Sequence, residues 1–218
     1  MCAAQSNRRK LWANFLEKGK SAHSRGGIAR AKVIESKVNV APFRGKILGI
    51  DPSLRGTGLA VLNVKNRDEM DLIFSQTVKV PSKESLLTCT RRIFEAISEV
   101  VEHFQPTICA VEQTIYVQNF QTAQIMGIAR GAVLTATAIH CLPAFEYAPL
   151  RIKQAICGYG RASKEQISKM IQAILKIPMN VSFDETDAAA VALCCFFTEH
   201  SLAEIVSRNH GNSSFDKT

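Results

Sequence analysis

The sequence predicts a mixed α/β sheet carrying helices, and three observations lead there. Short apolar runs broken by Gly and Pro turns fill residues 46–80, the pattern of an antiparallel meander. Longer segments further on place apolar residues at helical spacing. Two of the short apolar runs stop on an acid, Asp51 and Glu112.

The elements follow in order. Lys46 to Asp51 is a strand, and Pro52 to Gly58 reads as a turn. Leu59 to Val64 and Met70 to Val80 are the second and third strands, the last with partial alternation. From Ser85 to Phe104, Leu86, Leu87, Ile93, Ile97, Val100, Val101 and Phe104 fall on a helical face, stopped by Pro106. Thr107 to Val111 is a buried strand. Asn119 to His140 is a long helix with Arg130 as its one charge before His140, so burial on several sides is expected. Ala144 to Tyr147 is a fifth strand. Helices follow at about 149–157, 163–176 and 184–202, with breaks at Gly158, Gly160 and Pro178. Three strands and then alternating helices and strands give a mixed sheet with helices packed on it.

Composition bounds the rest. With 218 residues, 46% apolar and 21% charged, the chain is one globular domain with some length to spare at an end. No apolar run approaches the roughly 20 residues of a membrane span; Ala188 to Phe197 is half that. Seven cysteines show no CxxC pairing and sit mostly in apolar segments. A reducing compartment therefore fits better than a disulfide scaffold or a zinc ribbon. The five histidines (His23, His103, His140, His200, His210) make no ligand spacing and read as surface or helix-end residues.

The formal charge of +8 is unevenly placed. Residues 1–46 hold 11 Lys/Arg against Glu17 and Glu35, while residues 47–218 hold 16 against 17 acids. Residues 1–44 form a basic extension that cannot bury enough apolar surface to fold alone, although Leu11, Trp12, Phe15 and Leu16 could line one face of a short helix. Three readings stay open: a phosphate-binding tail acting by counterion release, an organelle transit peptide, and a solvated extension or an upstream start. Residues 45–203 are the expected folded domain and 204–218 a polar tail.

The strand-end acids carry the chemistry. If the strands ending at Asp51 and Glu112 are parallel neighbours, both carboxylates reach the sheet edge where α/β folds place their sites. Asp184 and Asp187, three apart at the opening of an apolar helix, share a face. Four such carboxylates repel unless cations are present, and oxygen-rich clusters of this kind hold Mg²⁺. Two ions would activate a water and neutralise a leaving oxygen in phosphodiester cleavage. Two plainer readings remain: Asp51-Pro52-Ser53 as a turn initiator, and Asp184 as a helix cap.

Four ordered blocks now carry a family resemblance: ILGIDPSLRGTGLAV (47–61), CAVEQTIYVQNFQTAQIMGIARGA (109–132), PAFEYAPLRIKQAICGYGRASKEQISKMI (143–171) and FDETDAAAVAL (183–193). Together they resemble RuvC-type Holliday junction resolvases over about residues 46–200. The resemblance implies an RNase H-like fold, a five-stranded mixed sheet with helices on both faces. It also implies a homodimer that binds four-way DNA junctions and nicks two opposed strands, in partnership with a branch-migration helicase. Two Mg²⁺ per site are implied, with Mn²⁺ as a substitute, held by Asp51, Glu112, Asp184 and Asp187, with the main role of the last pair on Asp184.

Lys153 and Lys164 match basic residues expected on the scissile-strand phosphates, Lys164 also at the catalytic centre. Lys164 opens a helix beside Ser163, where backbone N–H groups and a cation can meet one phosphate. The chain departs from the family three residues after Glu112. An aromatic residue common there is replaced by Ile115, with Tyr116 next to it. Tyr116 stacking on a base, Ile115 wedging, or packing on a dimer partner are all open. Gln113, Gln118, Asn119 and Gln121 could donate to phosphates or base edges, or form a solvated loop. The 119–140 helix suits either a subunit interface or simple burial.

The family's bacterial character and the reduced thiols imply a cytoplasmic location and no membrane. Two alternatives share the fold or the site: a general nuclease on RNA–DNA hybrids or flaps, and a non-cleaving junction-binding scaffold. An actin-like ATP-binding domain is disfavoured, because the chain is too short for two lobes and lacks their second Asp-Gly signature.

Overall fold

The computed structural model describes residues 43–66, 69–114, 119–177 and 181–198. Five strands, β1 (Gly45–Asp51), β2 (Gly56–Val64), β3 (Met70–Lys79), β4 (Ile108–Glu112) and β5 (Ala144–Tyr147), form one sheet in the order β3-β2-β1-β4-β5. The first three are antiparallel, and β4 and β5 run parallel to β1. Among the described residues, five helices accompany them: α1 (Leu86–Phe104), α2 (Phe120–Ile139), α3 (Pro149–Cys157), α4 (Lys164–Leu175) and α5 (Phe183–Thr198). The expected basic extension before residue 43 and the polar tail lie outside the described residues. Phe43 is already buried against the sheet.

Helices cover both faces because the strands are apolar on both faces. Ile47, Ala60, Leu62, Ile108 and Ala110 pack under α3, α4 and α5. Leu48, Ile50, Leu59, Val61, Cys109 and Val111 point the other way, onto α1 and α2. Helix α5 is the central element of the first layer, with Ala188 through Cys195 buried without a break. Local signals set the helix ends. Ser85 accepts a hydrogen bond from the Thr88 N–H to start α1, and Gln105 closes it in the left-handed region (φ 50°) just before Pro106.

The structure departs from the sequence reading in two places. Strand β2 begins at Gly56 rather than Leu59. Glycines 56 and 58, which read as turn residues, are paired in the sheet with Lys79 and Thr77. The turn is only residues 52–55, where the Thr57 hydroxyl donates to the Ser53 carbonyl and accepts from the Ser53 N–H. Helix α2 is also less covered than its composition suggests. Its buried residues Ala129, Val133, Ala136 and Thr137 form one stripe, while Phe120, Ile125 and Ile139 stay exposed. Among the described residues this helix packs on the sheet and α1, and its other apolar side is exposed. No helix among the described residues is long and apolar enough to cross a membrane.

Candidate active site

Side chains along a strand alternate between faces, and this parity assembles the site. Asp51 shares its face with Ile47 and Gly49, and Glu112 shares its own with Ile108 and Ala110. Because Ile50 lies beside Val111 in the parallel β1–β4 register, the next residue of each strand puts both carboxyls side by side. Both stand at the C-terminal edge of the sheet and on the α5 face. A one-residue slip would send them to opposite faces.

Helix α5 reaches this edge because glycines let it descend onto the sheet. A Cβ at Gly58 would stand 2.1 Å from the Asp184 carbonyl oxygen, and one at Gly49 2.1 Å from the Ala188 carbonyl oxygen. The small stripe Ala188 and Ala192 completes this close approach. Polar contacts with β3 hold the start of the helix. Ser75 and Ser182 hydroxyls donate to the two Glu185 carboxylate oxygens at 2.6 and 2.9 Å, and Thr77 and Ser182 share a hydrogen bond of 3.0 Å. Ser182, not Asp184, is the cap: its side chain accepts from the Glu185 N–H. Asp184 is therefore free of the capping role that one sequence reading gave it.

A cleft of about 350 Å³ opens at this edge, lined among others by Asp51, Glu112, Asp187, Lys153, Lys164 and Thr114. Lys164, the first residue of α4, places its Nζ 3.2 Å from Asp187 Oδ2. The Ser163 capping box with Gln166 fixes that helix end. Asp187, rather than Asp184, is the α5 acid that lines the cleft. Asp184 lies toward β2, its Oδ2 3.5 Å from where a Gly56 Cβ would be. Asp187 thus stands nearer the β1–β4 edge than Asp184, to which the sequence reading gives the main role, while the Asp184 charge still acts on Asp51. Gln113 is exposed beside the cleft and does not line it; its N–H donates to the Tyr147 carbonyl. Ile115, Tyr116 and Gln118 lie outside the described residues.

Electrostatics bind these groups into one unit. Burial, then the Asp187 charge, pushes the Asp51 carboxyl up to about 6. Burial, then the Asp51 charge, pushes Glu112 up to about 8, with Glu112 hydrogen-bonded to Asp51. The two strand-end acids thus retain a proton between them near neutrality. Among the described residues, no three His, Cys, Asp or Glu side chains already stand as a metal-ligand set. Of the four carboxylates expected to converge, Asp187 pairs with the Lys164 ammonium, Asp51 and Glu112 are hydrogen-bonded to each other, and Asp184 lies toward β2. The donors are all carboxylate oxygens crowded enough to hold back protons, which suits a hard divalent cation.

A pH dependence follows. Both acids have folded-state values above their ordinary 3.8 and 4.5, so the folded metal-free protein binds more protons than the unfolded chain. Its stability is retained below about 4 and declines as pH rises through about 6 and about 8. A divalent cation needs both carboxylates ionised. The rise in melting temperature on adding Mg²⁺ should therefore be larger at about pH 8.5 than at about pH 5.5. In Glu112→Gln, metal-free stability at the higher pH should increase and the Mg²⁺ increment should shrink. An increment independent of pH would contradict this picture of the site.

An RNase H-like sheet with carboxylates gathered at the edge between its first and fourth strands defines a nuclease. Comparison with known proteins makes the class specific. The sequence profile described as crossover junction endodeoxyribonuclease RuvC matches residues 47–195. The RuvC protein of Cupriavidus pinatubonensis is 40% identical over 149 residues, covering 68% of this chain and 82% of that protein. That of Shewanella sp. strain MR-4 is 38% identical over 162 residues, covering 74% and 92%. Among solved structures, Thermus thermophilus RuvC in complex with a Holliday junction substrate superposes with a TM-score of 0.66 at 32% identity, covering 70% of this chain and 93% of that one. The yeast mitochondrial Holliday junction resolvase Ydc2, 13% identical with a TM-score of 0.55, shares the fold. The chain belongs to the RuvC family of crossover junction endodeoxyribonucleases.

Proposed function

We propose that this protein resolves four-way DNA junctions by paired nicks, using the cleft at the ends of β1 and β4. The observation that carries the reading is the meeting of Asp51, Glu112, Asp187 and Lys164 at one sheet edge, within a family of metal-dependent crossover junction endodeoxyribonucleases. Asp51, Glu112 and Asp187 hold the divalent ions, with Asp184 at the β2 side completing the set. Mg²⁺ is the expected ion, two per site, with Mn²⁺ as a substitute. When bound, such ions activate a water and neutralise the leaving oxygen.

The chain's own side chains do the rest. Lys164 exchanges its Asp187 contact for a scissile-strand phosphate once ions neutralise that carboxylate, and Lys153 holds a neighbouring phosphate. The exposed Gln113, next to Glu112 in the chain, is proposed to donate to the same strand, and Ile115 or Tyr116 to act nearer the junction centre. The protein acts as a homodimer, since two opposed nicks need two sites. The exposed Leu86, Leu87, Phe120 and Ile125 around the starts of α1 and α2 are the apolar surface that such a dimer would cover. A branch-migration helicase is the expected partner, in the cytoplasm.

The decisive experiment is cleavage of a synthetic immobile junction with and without Mg²⁺, mapping nicks on all four strands. Two symmetric nicks on opposed strands, dependent on the ion, support the reading. Equal cleavage of linear duplex or of an RNA–DNA hybrid would replace it with a general nuclease.

The basic residues 1–44 are proposed as a phosphate-binding arm ahead of a nuclease domain spanning 45–203, with 204–218 as a polar tail. Deleting 1–42, which spares the buried Phe43, should lower DNA affinity and flatten its dependence on salt while leaving the nicking rate at saturation unchanged. An unaltered salt slope would remove the arm from the binding surface.

A further inference from the structure

The turn between α3 and α4 is exposed, basic and fixed in place, and the established chemistry leaves it without a task. Residues 149–164 carry Arg151, Lys153, Arg161 and Lys164 and no acid at all, in a body where acids otherwise outnumber bases. Among the described residues, Lys164 is the one of these four that has a carboxylate partner. Between Lys153 and Lys164, which both line the cleft, the chain alternates inward and outward. Gly160 is half-buried beside the exposed Leu150 side chain, and Ala162 is buried in the core. Tyr159 and Arg161 are left exposed on the other side.

Both ends of the turn are fastened. Gly158 ends α3 in the left-handed region (φ 79°), with its N–H donating to the Gln154 carbonyl, and Ser163 caps α4. The Tyr159 ring is 47% exposed and stacks on no other ring among the described residues. An aromatic face and a guanidinium with no carboxylate partner among the described residues, on a preorganised turn flanked by the cleft-lining Lys153 and Lys164, are the elements of a single-strand platform.

We propose that Tyr159 and Arg161 form a strand-holding subsite beside the cleft. Arg161 pairs with a backbone phosphate and the Tyr159 ring stacks on a nucleobase of the same strand. The inference rests on the reading that the cleft takes a DNA strand. Arg161 and Lys164 are three residues apart, so their Cα atoms lie within about 11 Å. Both side chains are long, so the phosphate that Arg161 pairs with lies within a few nucleotides of the one at Lys164. The subsite sets the register in which the strand enters, because a stacked base fixes position along the chain where a phosphate contact alone does not.

The test uses the full chain and a synthetic immobile junction with EDTA present, so that binding is measured without cleavage. A 2-aminopurine replaces one base at a time within about three nucleotides of the mapped nick. Arg161→Ala should weaken binding and reduce the slope of log affinity against log salt by about one. Tyr159→Ala should weaken binding about tenfold and abolish the change in 2-aminopurine emission at one position, and Tyr159→Phe should restore both. In the two alanine variants, nicking at saturating junction with Mg²⁺ should change less than affinity, and melting temperature should not move in any of the three. Wild-type affinity, salt slope and emission in Tyr159→Ala and Arg161→Ala would overturn the subsite while wild-type nicking upheld the function. Tyr159→Phe behaving like Tyr159→Ala would equally exclude stacking. Failure of the wild-type protein to bind the junction would instead defeat the functional reading, and the subsite with it.

Discussion

Asp51→Asn is expected to retain junction binding and lose nicking by about a thousandfold or more. The substitution keeps the size and shape of the side chain at the end of β1 and removes only its charge. In the proposed reading Asp51 would help hold a divalent ion, and losing charge stabilisation of that kind costs several kcal/mol; ~4 kcal/mol corresponds to about 10³ in rate. The fold should tolerate the change, because burial and the Asp187 charge already oppose ionisation of Asp51. An amide in its place can still accept the hydrogen bond from Glu112. Metal-free melting temperature near neutral pH should therefore be equal to or above that of the wild type. Single-turnover nicking of saturating junction, with binding followed in parallel, measures both effects. Nicking within a few-fold of wild type would remove Asp51 from the reaction, and lost binding would assign it to the DNA surface instead.

The contrast between Asp51 and its neighbours shows what a sequence can express. The strand-end positions of Asp51 and Glu112 are local facts: an apolar run stops on an acid, and strand parity then decides the face. Their adjacency required only that β1 and β4 be parallel neighbours, as they are. The division between Asp184 and Asp187 was not legible, because i, i+3 spacing gives a shared face but not the depth to which a helix overhangs the sheet. That depth is set by contacts between residues more than a hundred apart. Ser75 binds Glu185, and Gly58 admits the Asp184 carbonyl. In the sequence these serines and glycines look like ordinary turn or surface residues. The exposed side of α2 was hidden for a related reason. Composition reports that a helix is apolar, whereas only the packed chain shows which stripe of it finds a partner.

Gly58→Ala should for this reason impair the enzyme from outside the cleft. The added methyl would stand 2.1 Å from the Asp184 carbonyl oxygen and 2.8 Å from its carbonyl carbon. Both are helix backbone and cannot rotate away as a side chain would. The start of α5 must lift by about 1 Å to restore ordinary contact, carrying Asp184 and Asp187 away from Asp51 and Glu112. The Glu185 hydrogen bonds to Ser75 and Ser182 resist that movement, so part of the strain appears as lost stability. Overpacking of this kind costs ~1–3 kcal/mol, or roughly 2–4 °C of melting temperature per kcal/mol in a domain of this size. A misplacement near 1 Å costs about a hundredfold in rate, so catalysis should suffer far more than folding. Junction affinity, which the proposed reading assigns to Lys153, Lys164 and the basic turn rather than to α5, should remain near wild type. Thermal melts, junction titrations and single-turnover nicking on the same preparation separate the three quantities. Full activity with an unchanged melting temperature would mean that α5 does not ride on the sheet at this point. The close approach would then no longer account for where Asp187 stands.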